Sequence, residues 1–313
     1  MEILRGKTVS PLGLPFPVVG IGNFDGVHRG HQTILNEVVR RARENKGAAV
    51  VLTFDPHPLK VLSPARDLKF LMSFDERAAC FQQAGIDVVR AIPFNREFSS
   101  LEPEKFIQTI LSGELGAKEV LVGSGFRFGK LRSGTVDDLV KYGKDRGFSV
   151  HSMKPLEQDG KPVSSSRIRE NLLNGHVAEA AELLGRPYSL EGEVTPSTRR
   201  GRPMGYPTAN FRPPPERVIP CNGIYAVRAV LGGGEGPRID GASYIGTQPT
   251  LGPTERMVET HLFIPQPDLY GKKIRVEFIQ WVRSEEVFQG REDLIQHIRD
   301  DIEKARHYLS LEK

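Results

Sequence analysis

Cysteine is nearly absent from this chain: Cys80 and Cys221 are the only two among 313 residues. They lie far apart and in no metal-ligand spacing, so free thiols in a reducing cytoplasm are expected rather than a disulfide framework. No run of 18 apolar residues occurs, which argues against a membrane-spanning helix. Met1-Glu2-Ile3-Leu4-Arg5-Gly6-Lys7 has no long apolar stretch behind it, so a secretory signal is not expected. No block of five or six like charges occurs either. From residue 187 onward 17 Lys and Arg stand against 17 Asp and Glu, leaving 26 against 22 before it. That evenness gives no support to nucleic-acid or membrane partners, while a small phosphate-bearing ligand is compatible with the modest net charge of +4.

What is present is the composition of a folded protein, 38% hydrophobic and 26% charged, and long enough for two domains. Up to about residue 185, short apolar runs alternate with helix-period segments. Strands are expected at Phe16–Ile21, Ala48–Phe54, Val88–Ile92, Val120–Gly123 and Phe148–Met153. Helices are expected through Ile34, Leu35, Val38, Val39 and Ala42, over Pro103–Leu111 and over Val136–Lys144. That alternation predicts βαβ units and a parallel, Rossmann-like sheet, with ligands beyond the carboxyl ends of the strands. Near Gly185-Arg186-Pro187 the character changes. Leu190–Val194, Gly223–Leu231, Ala242–Gly246, Met257–Ile264 and Lys273–Val282 read as strands between Gly/Pro-rich turns, before a helix through Leu294, Ile298, Ile302, Ala305 and Leu309. An antiparallel β-barrel with a terminal helix is expected there, giving domains 1–185 and 186–313. Oligomeric state is left open, a weak homo-oligomer included.

The densest motif is Gly22-Asn23-Phe24-Asp25-Gly26-Val27-His28-Arg29-Gly30-His31, at a strand-to-helix turn. A helix N-terminus presents free N–H groups and a positive dipole end, glycines admit a phosphate to the backbone, and two imidazoles can donate to its oxygens. This equips the turn to hold the α-phosphate of a nucleoside triphosphate. It lacks the Gly-Lys-Ser/Thr ending of a P-loop, so a Walker-type NTPase is not expected. Thr53-Phe54-Asp55-Pro56-His57-Pro58 ends the second strand, where the prolines fix a loop that can aim Asp55 and His57 into the crevice. Val163-Ser164-Ser165-Ser166-Arg167-Ile168-Arg169 is N-cap material that can also hold phosphates. In Val122-Gly123-Ser124-Gly125-Phe126-Arg127-Phe128-Gly129-Lys130 the aromatics suit either plain core or stacking on a planar ring. Gly201-Arg202-Pro203-Met204-Gly205-Tyr206-Pro207-Thr208-Ala209-Asn210 reads locally as two turns around a short strand.

Taken together and in order, these segments resemble the prokaryotic bifunctional riboflavin kinase/FAD synthetases, whose N-terminal module belongs to the HxGH nucleotidyltransferase superfamily. The resemblance implies that the barrel phosphorylates riboflavin to FMN and the α/β domain adenylylates FMN to FAD, both with ATP and Mg²⁺. It implies that His28 and His31 neutralise charge on the ATP α-phosphate. Gly22, Asn23, Phe24, Asp25, Gly30, Asp55, His57, Phe126, Arg127, Phe128, Ser164, Ser165, Ser166 and Arg169 would bind nucleotide and flavin in the N-terminal domain. In the barrel, Gly201, Arg202, Gly205, Pro207, Thr208, Asn210 and Arg283 would bind nucleotide or flavin, with Thr208 and Asn210 as Mg²⁺ ligands. Glu259 would take the proton of the ribityl 5′-hydroxyl. The chain departs from the family pattern at Gly125, usually Asp or Asn, and at Ser197, Tyr244, Ile264 and Ser284. Two other readings keep the fold. One is a riboflavin kinase whose adenylyltransferase domain is weakened or inactive, motivated by Gly125. The other is a flavin- or nucleotide-binding regulator without turnover, against which the retained His28, His31, Thr208, Asn210 and Glu259 speak.

Overall fold

The computed structural model describes residues 1–6, 11–196, 205–232, 236–247, 256–264 and 269–311. Two compact units make up the chain, Met1–Ser164 and Ser165–Lys313. In the first, the elements run β1 (Glu2–Arg5), β2 (Val18–Ile21), α1 (Arg29–Glu44), β3 (Ala49–Asp55), α2 (Pro58–Leu62), α3 (Phe74–Gln83), β4 (Val88–Pro93), α4 (Arg96–Ser99) and α5 (Pro103–Phe106). They continue through a π-helical stretch (Ile107–Glu114), β5 (Glu119–Gly123), α6 (Val136–Arg146), β6 (Ser149–Met153) and the hairpin β7 (Glu157–Gln158) and β8 (Lys161–Pro162).

The first sheet has strand order β1-β4-β3-β2-β5-β6, and every pairing is parallel. Successive residues feed opposite faces, as strand geometry requires. Val18, Ala49 and Val51 pack with Leu35, Val38 and Ala42 of α1, whereas Val19, Val50 and Leu52 pack with Phe106, Leu111 and Leu139. Both faces are therefore covered, which is why β2 and β3 read as unbroken apolar runs. The chain moves outward from β2 in both directions, through β3 on one side and β5 on the other. The crevice beyond the ends of β2 and β5 is thus the switch point at which such sheets bind ligands.

Elements β1 and α3 had no expectation attached, and one helix runs past its expected end. β1 is a four-residue edge strand paired with β4. α3 carries a reciprocal capping box in which Ser73 and Glu76 each bond the other's backbone N–H. The helix expected over Pro103–Leu111 runs on to Glu114 with π geometry, and this brings Glu114 to Arg90.

The second unit starts with α7 (Ser165–Leu173) and α8 (Val177–Leu184). It continues with β9 (Tyr188–Glu193), β10 (Ala209–Phe211), β11 (Gly223–Leu231), β12 (Arg238–Thr247), β13 (Arg256–Leu262), β14 (Lys273–Arg283) and α9 (Arg291–Leu311). Its strand order is β10-β13-β12-β11-β14-β9, antiparallel throughout. Just past β9, the Thr195 N–H donates to the Asn210 carbonyl at 2.8 Å and bridges the two edge strands, so the sheet curls into a barrel. Tyr225, Phe211, Phe278 and Val276 are fully buried in this unit, while α9 sets Ala305 and Leu309 against Ala226 and Ile279. Packing separates the units at Ser164, before the compositional change at Gly185. The reason is that α8 lies against β9 and β14 and buries Val177, Ala180, Leu183 and Leu184.

Candidate functional sites in the two units

In the first unit, a cavity of about 270 Å³ lies at the switch point. Gly22 follows β2, Gly123 ends β5, and Ser124 and Gly125 follow it; with Phe24, His28, Gly30, His31, Phe126 and Lys154 they line it. The turn between β2 and α1 is tightly wound: Phe24 and Val27 both hold left-handed φ, at 52° and 39°. Such backbone is costly for residues with a Cβ and persists only where surroundings impose it. Here Phe24 is buried edge-on to Phe81 and His31, and Asp25, itself buried, accepts N–H bonds from Leu71 at 3.0 Å and Met72 at 3.3 Å.

His28 caps α1, its Nδ1 accepting the His31 backbone N–H at 3.3 Å. That bond places the His28 ring proton on Nε2. The two imidazoles stack with centroids 3.6 Å apart. Gly30 permits this, since a Cβ there would lie 3.3 Å from the His28 ring. Burial, then His28, then Arg77 hold the His31 imidazole well below its ordinary range. Its Nδ1 is buried without a hydrogen-bond partner, an orphaned group of the kind a ligand satisfies.

Other residues expected at this site stand elsewhere. The Asn23 carbonyl accepts from Arg77 Nη1 at 2.6 Å. His57 caps α2, accepting the Leu59 N–H at 3.2 Å, and packs on Phe70; Asp55 ends β3 ahead of it, and the Asp55–Pro56 peptide is cis. Phe128 is core, packed on Phe106 and Phe126, while Arg127 is exposed. Of all the residues expected at this site, Gly22, Phe24, His28, Gly30, His31 and Phe126 line the cavity. Ser164 ends the first unit, whereas Ser165, Ser166 and Arg169 belong to α7 of the second. Lys154 had no sequence signal, because it sits in an irregular loop after β6.

In the second unit, a cavity of about 380 Å³ lies between the barrel and α9. Asn210, Glu259, Tyr244, Ile224 and Arg283 are successive cross-strand partners over five strands and so share one face. Four of them, all but Asn210, line the cavity together with Thr208, Tyr206 and His261. The His261 Nδ1 lies 2.9 Å from the Pro207 carbonyl, holding the Pro207–Thr208 segment to β13. Arg283 forms a two-bond ion pair with buried Asp301, at 2.8 and 2.7 Å, and this pairing raises the guanidinium's proton affinity. Glu285, Glu286, Phe288, Leu294, Ile298 and Ile302 complete the wall. None of Asp301, Glu285 and Tyr206 was singled out from the sequence, because only the barrel and α9 together bring them here. Gly205 and Pro207 precede the strand; Gly201, Arg202 and Ser197 lie outside the described residues.

Residues 15–167 match the FAD synthetase family model, and residues 184–309 match the riboflavin kinase model. The chain is 36% identical over 314 residues to the bifunctional riboflavin kinase/FMN adenylyltransferase of Escherichia coli K12, spanning 100% of this chain and 99% of that protein. The chain belongs to the bifunctional riboflavin kinase/FMN adenylyltransferase family. The Bacillus subtilis strain 168 member is 34% identical over 301 residues, 94% of this chain and 92% of that one. A crystal structure described as a macrolide-efflux protein from Streptococcus pneumoniae has the same fold, with a TM-score of 0.87 at 27% identity over 98% of this chain and 99% of that one. Among the described residues no helix is long and apolar enough to cross a membrane. Both modules of the riboflavin kinase/FMN adenylyltransferase family are thus present, each carrying one of the cavities described above.

Proposed function

We propose that the barrel transfers the ATP γ-phosphoryl group to riboflavin and that the α/β unit transfers the ATP adenylyl group to the resulting FMN. The observation that carries this reading is that each family module holds its own cavity with the chemistry its step needs. In the barrel, riboflavin's 5′-oxygen attacks the γ-phosphorus, its proton passes to Glu259, and ADP leaves. Glu259, Glu285, Glu286 and Asp301 stand with one guanidinium, Arg283, among the described residues that line the cavity. Its acids and apolar residues suit the uncharged flavin, whose hydroxyls donate to carboxylates.

Thr208 and Asn210 offer neutral oxygen donors beside Glu259, and hard oxygen ligands fit Mg²⁺, which is typically held by few protein groups plus substrate phosphates. Bound there, the ion would neutralise charge on the ATP phosphates. In the α/β unit an FMN phosphate oxygen attacks the α-phosphorus and pyrophosphate leaves. His28 Nε2–H and the His31 ring act as donors to the charge that builds up, at the N-terminus of α1. Phe126 and the open backbone at Gly125, where an added Cβ would meet nothing within 4 Å, leave room for a planar ring. The side chain missing at Gly125, where the family usually has Asp or Asn, favours the second reading, a riboflavin kinase with a weakened or inactive adenylyltransferase domain.

Two substitutions separate the sites. His31→Ala should cut FAD formation by at least about 100-fold and leave FMN formation within about two-fold. Glu259→Ala should do the reverse, with supplied FMN still converted to FAD. Loss of both activities in either folded variant contradicts the assignment.

A further inference from the structure

The connection between β14 and α9, residues 284–290, supplies Glu285, Glu286 and Phe288 to the kinase cavity yet contains no helix or strand of its own. A wall of that kind holds its place only through side-chain bonds to something rigid. On the barrel side Glu285 provides them. One carboxylate oxygen accepts the Tyr244 hydroxyl and the other accepts Asn222 Nδ2 at 2.9 Å. Tyr244 sits within β12, and Asn222 immediately precedes β11, so both donors stand on the barrel.

Tyr244 is also the cross-strand neighbour of Glu259, and its ring lines the cavity. Burial and the Glu285 carboxylate push its phenol well above the ordinary tyrosine range, so it remains a donor at neutral pH. Gly246 makes room for the pair, because a Cβ there would run into the Tyr244 ring and the Glu285 carboxylate. On the far side, the Arg283–Asp301 pair ties the end of β14 to α9, and Arg283 Nη1 donates to the Ser284 carbonyl at 2.9 Å. The connection is thus anchored at its root by Arg283, on the barrel side by Tyr244 and Asn222, and on the α9 side by the Gln289 N–H on Asp293 at 3.1 Å and by Glu286 and Phe288 against His297.

Resting on the kinase reading above, we propose that Tyr244 is a positioning residue for riboflavin: through Glu285 it holds the 284–290 wall against the cavity and so sets how tightly the flavin is retained. The phenol proton is committed to Glu285, so Tyr244 takes no part in the proton transfer to Glu259. Removing the bond loosens a wall that contacts the flavin equally before and during transfer. The effect belongs in KM, not kcat.

The test is steady-state kinase kinetics of the full chain with riboflavin, ATP and Mg²⁺. Tyr244→Phe keeps the ring and deletes the bond; KM for riboflavin should rise about ten-fold with kcat within about two-fold, the worth of one charge-assisted hydrogen bond. Glu285→Ala, which also loses the Asn222 bond, should give a rise at least as large, and the double variant no more than Glu285→Ala alone, because Tyr244 acts through that carboxylate. FAD formation from supplied FMN, run on each variant, should match the unsubstituted chain, and an unchanged thermal unfolding profile together with the retained kcat shows that the barrel is folded. A KM unchanged in Tyr244→Phe, a fall in kcat at unchanged KM, or single effects that add in the double variant would each overturn the proposal. If the unsubstituted chain itself makes no FMN, the kinase reading fails and this inference with it; a failure confined to the variants leaves that reading standing.

Discussion

Burial and the neighbouring His28 and Arg77 depress the proton affinity of the His31 imidazole from its ordinary 6.5, and this has a consequence for stability. Between the depressed value and 6.5 the unfolded chain binds a proton that the folded chain refuses. The stabilisation is complete above about 6.5 and is lost as pH falls through that window. Stability measured by urea unfolding should therefore drop more steeply between about pH 7 and pH 5 in the unsubstituted chain than in His31→Asn, which cannot titrate; parallel curves would contradict a neutral His31. Asp25 makes a second residue-scale case. The sequence placed it with the phosphate turn, and the fold uses its carboxylate to bind the Leu71 and Met72 N–H groups. Both facts concern the same turn, but only the first was legible, because the 71–72 segment is 46 residues away and carries no matching pattern.

At the scale of elements, the central parallel strands were readable since both faces of the sheet are covered and their residues are mostly apolar. The barrel strands were readable to within a few residues because Gly and Pro punctuate them, and β11 spans Gly223–Leu231 as expected. β1 was not readable: four residues, mostly exposed, hold no period against background. α3 escaped although Ser73-x-x-Glu76 is a capping signature, because its buried face mixes Arg77 with Ala78 and Phe81. The π-helical end of the α5 segment has a consequence in packing. It carries Glu114 to Arg90 of β4, with the two side chains only 5% and 3% exposed, and Arg90 also donates to the Leu4 carbonyl of β1 at 3.4 Å. Removing one partner leaves a buried charge alone, so Glu114→Ala should lower unfolding free energy by about 3–5 kcal/mol. Arg90→Met with Glu114→Leu should recover most of that loss; a single variant within about 1 kcal/mol of the unsubstituted chain would contradict a buried pair.

At the scale of the molecule, two units of different architecture each carry one cavity, and the two cavities share no lining residue. The division into an α/β half and a β half was legible from the change of hydrophobic period. The unit boundary was less so, because α7 and α8 are helical like the first half and pack with the second. Cavity-lining residues carried by dense local motifs, His28, Gly30 and His31 in one unit and Thr208 in the other, were legible in the sequence. Those assembled from distant elements, Asp301 on α9 or Glu285 beside Tyr244, were not. With both family modules in one polypeptide, both steps fall to this chain. The most direct measurement is a time course of the purified chain with riboflavin, ATP and Mg²⁺, its flavins resolved by chromatography. FMN should appear first and FAD follow from it; absence of FMN, or FMN that never becomes FAD even when supplied at the start, would contradict the account.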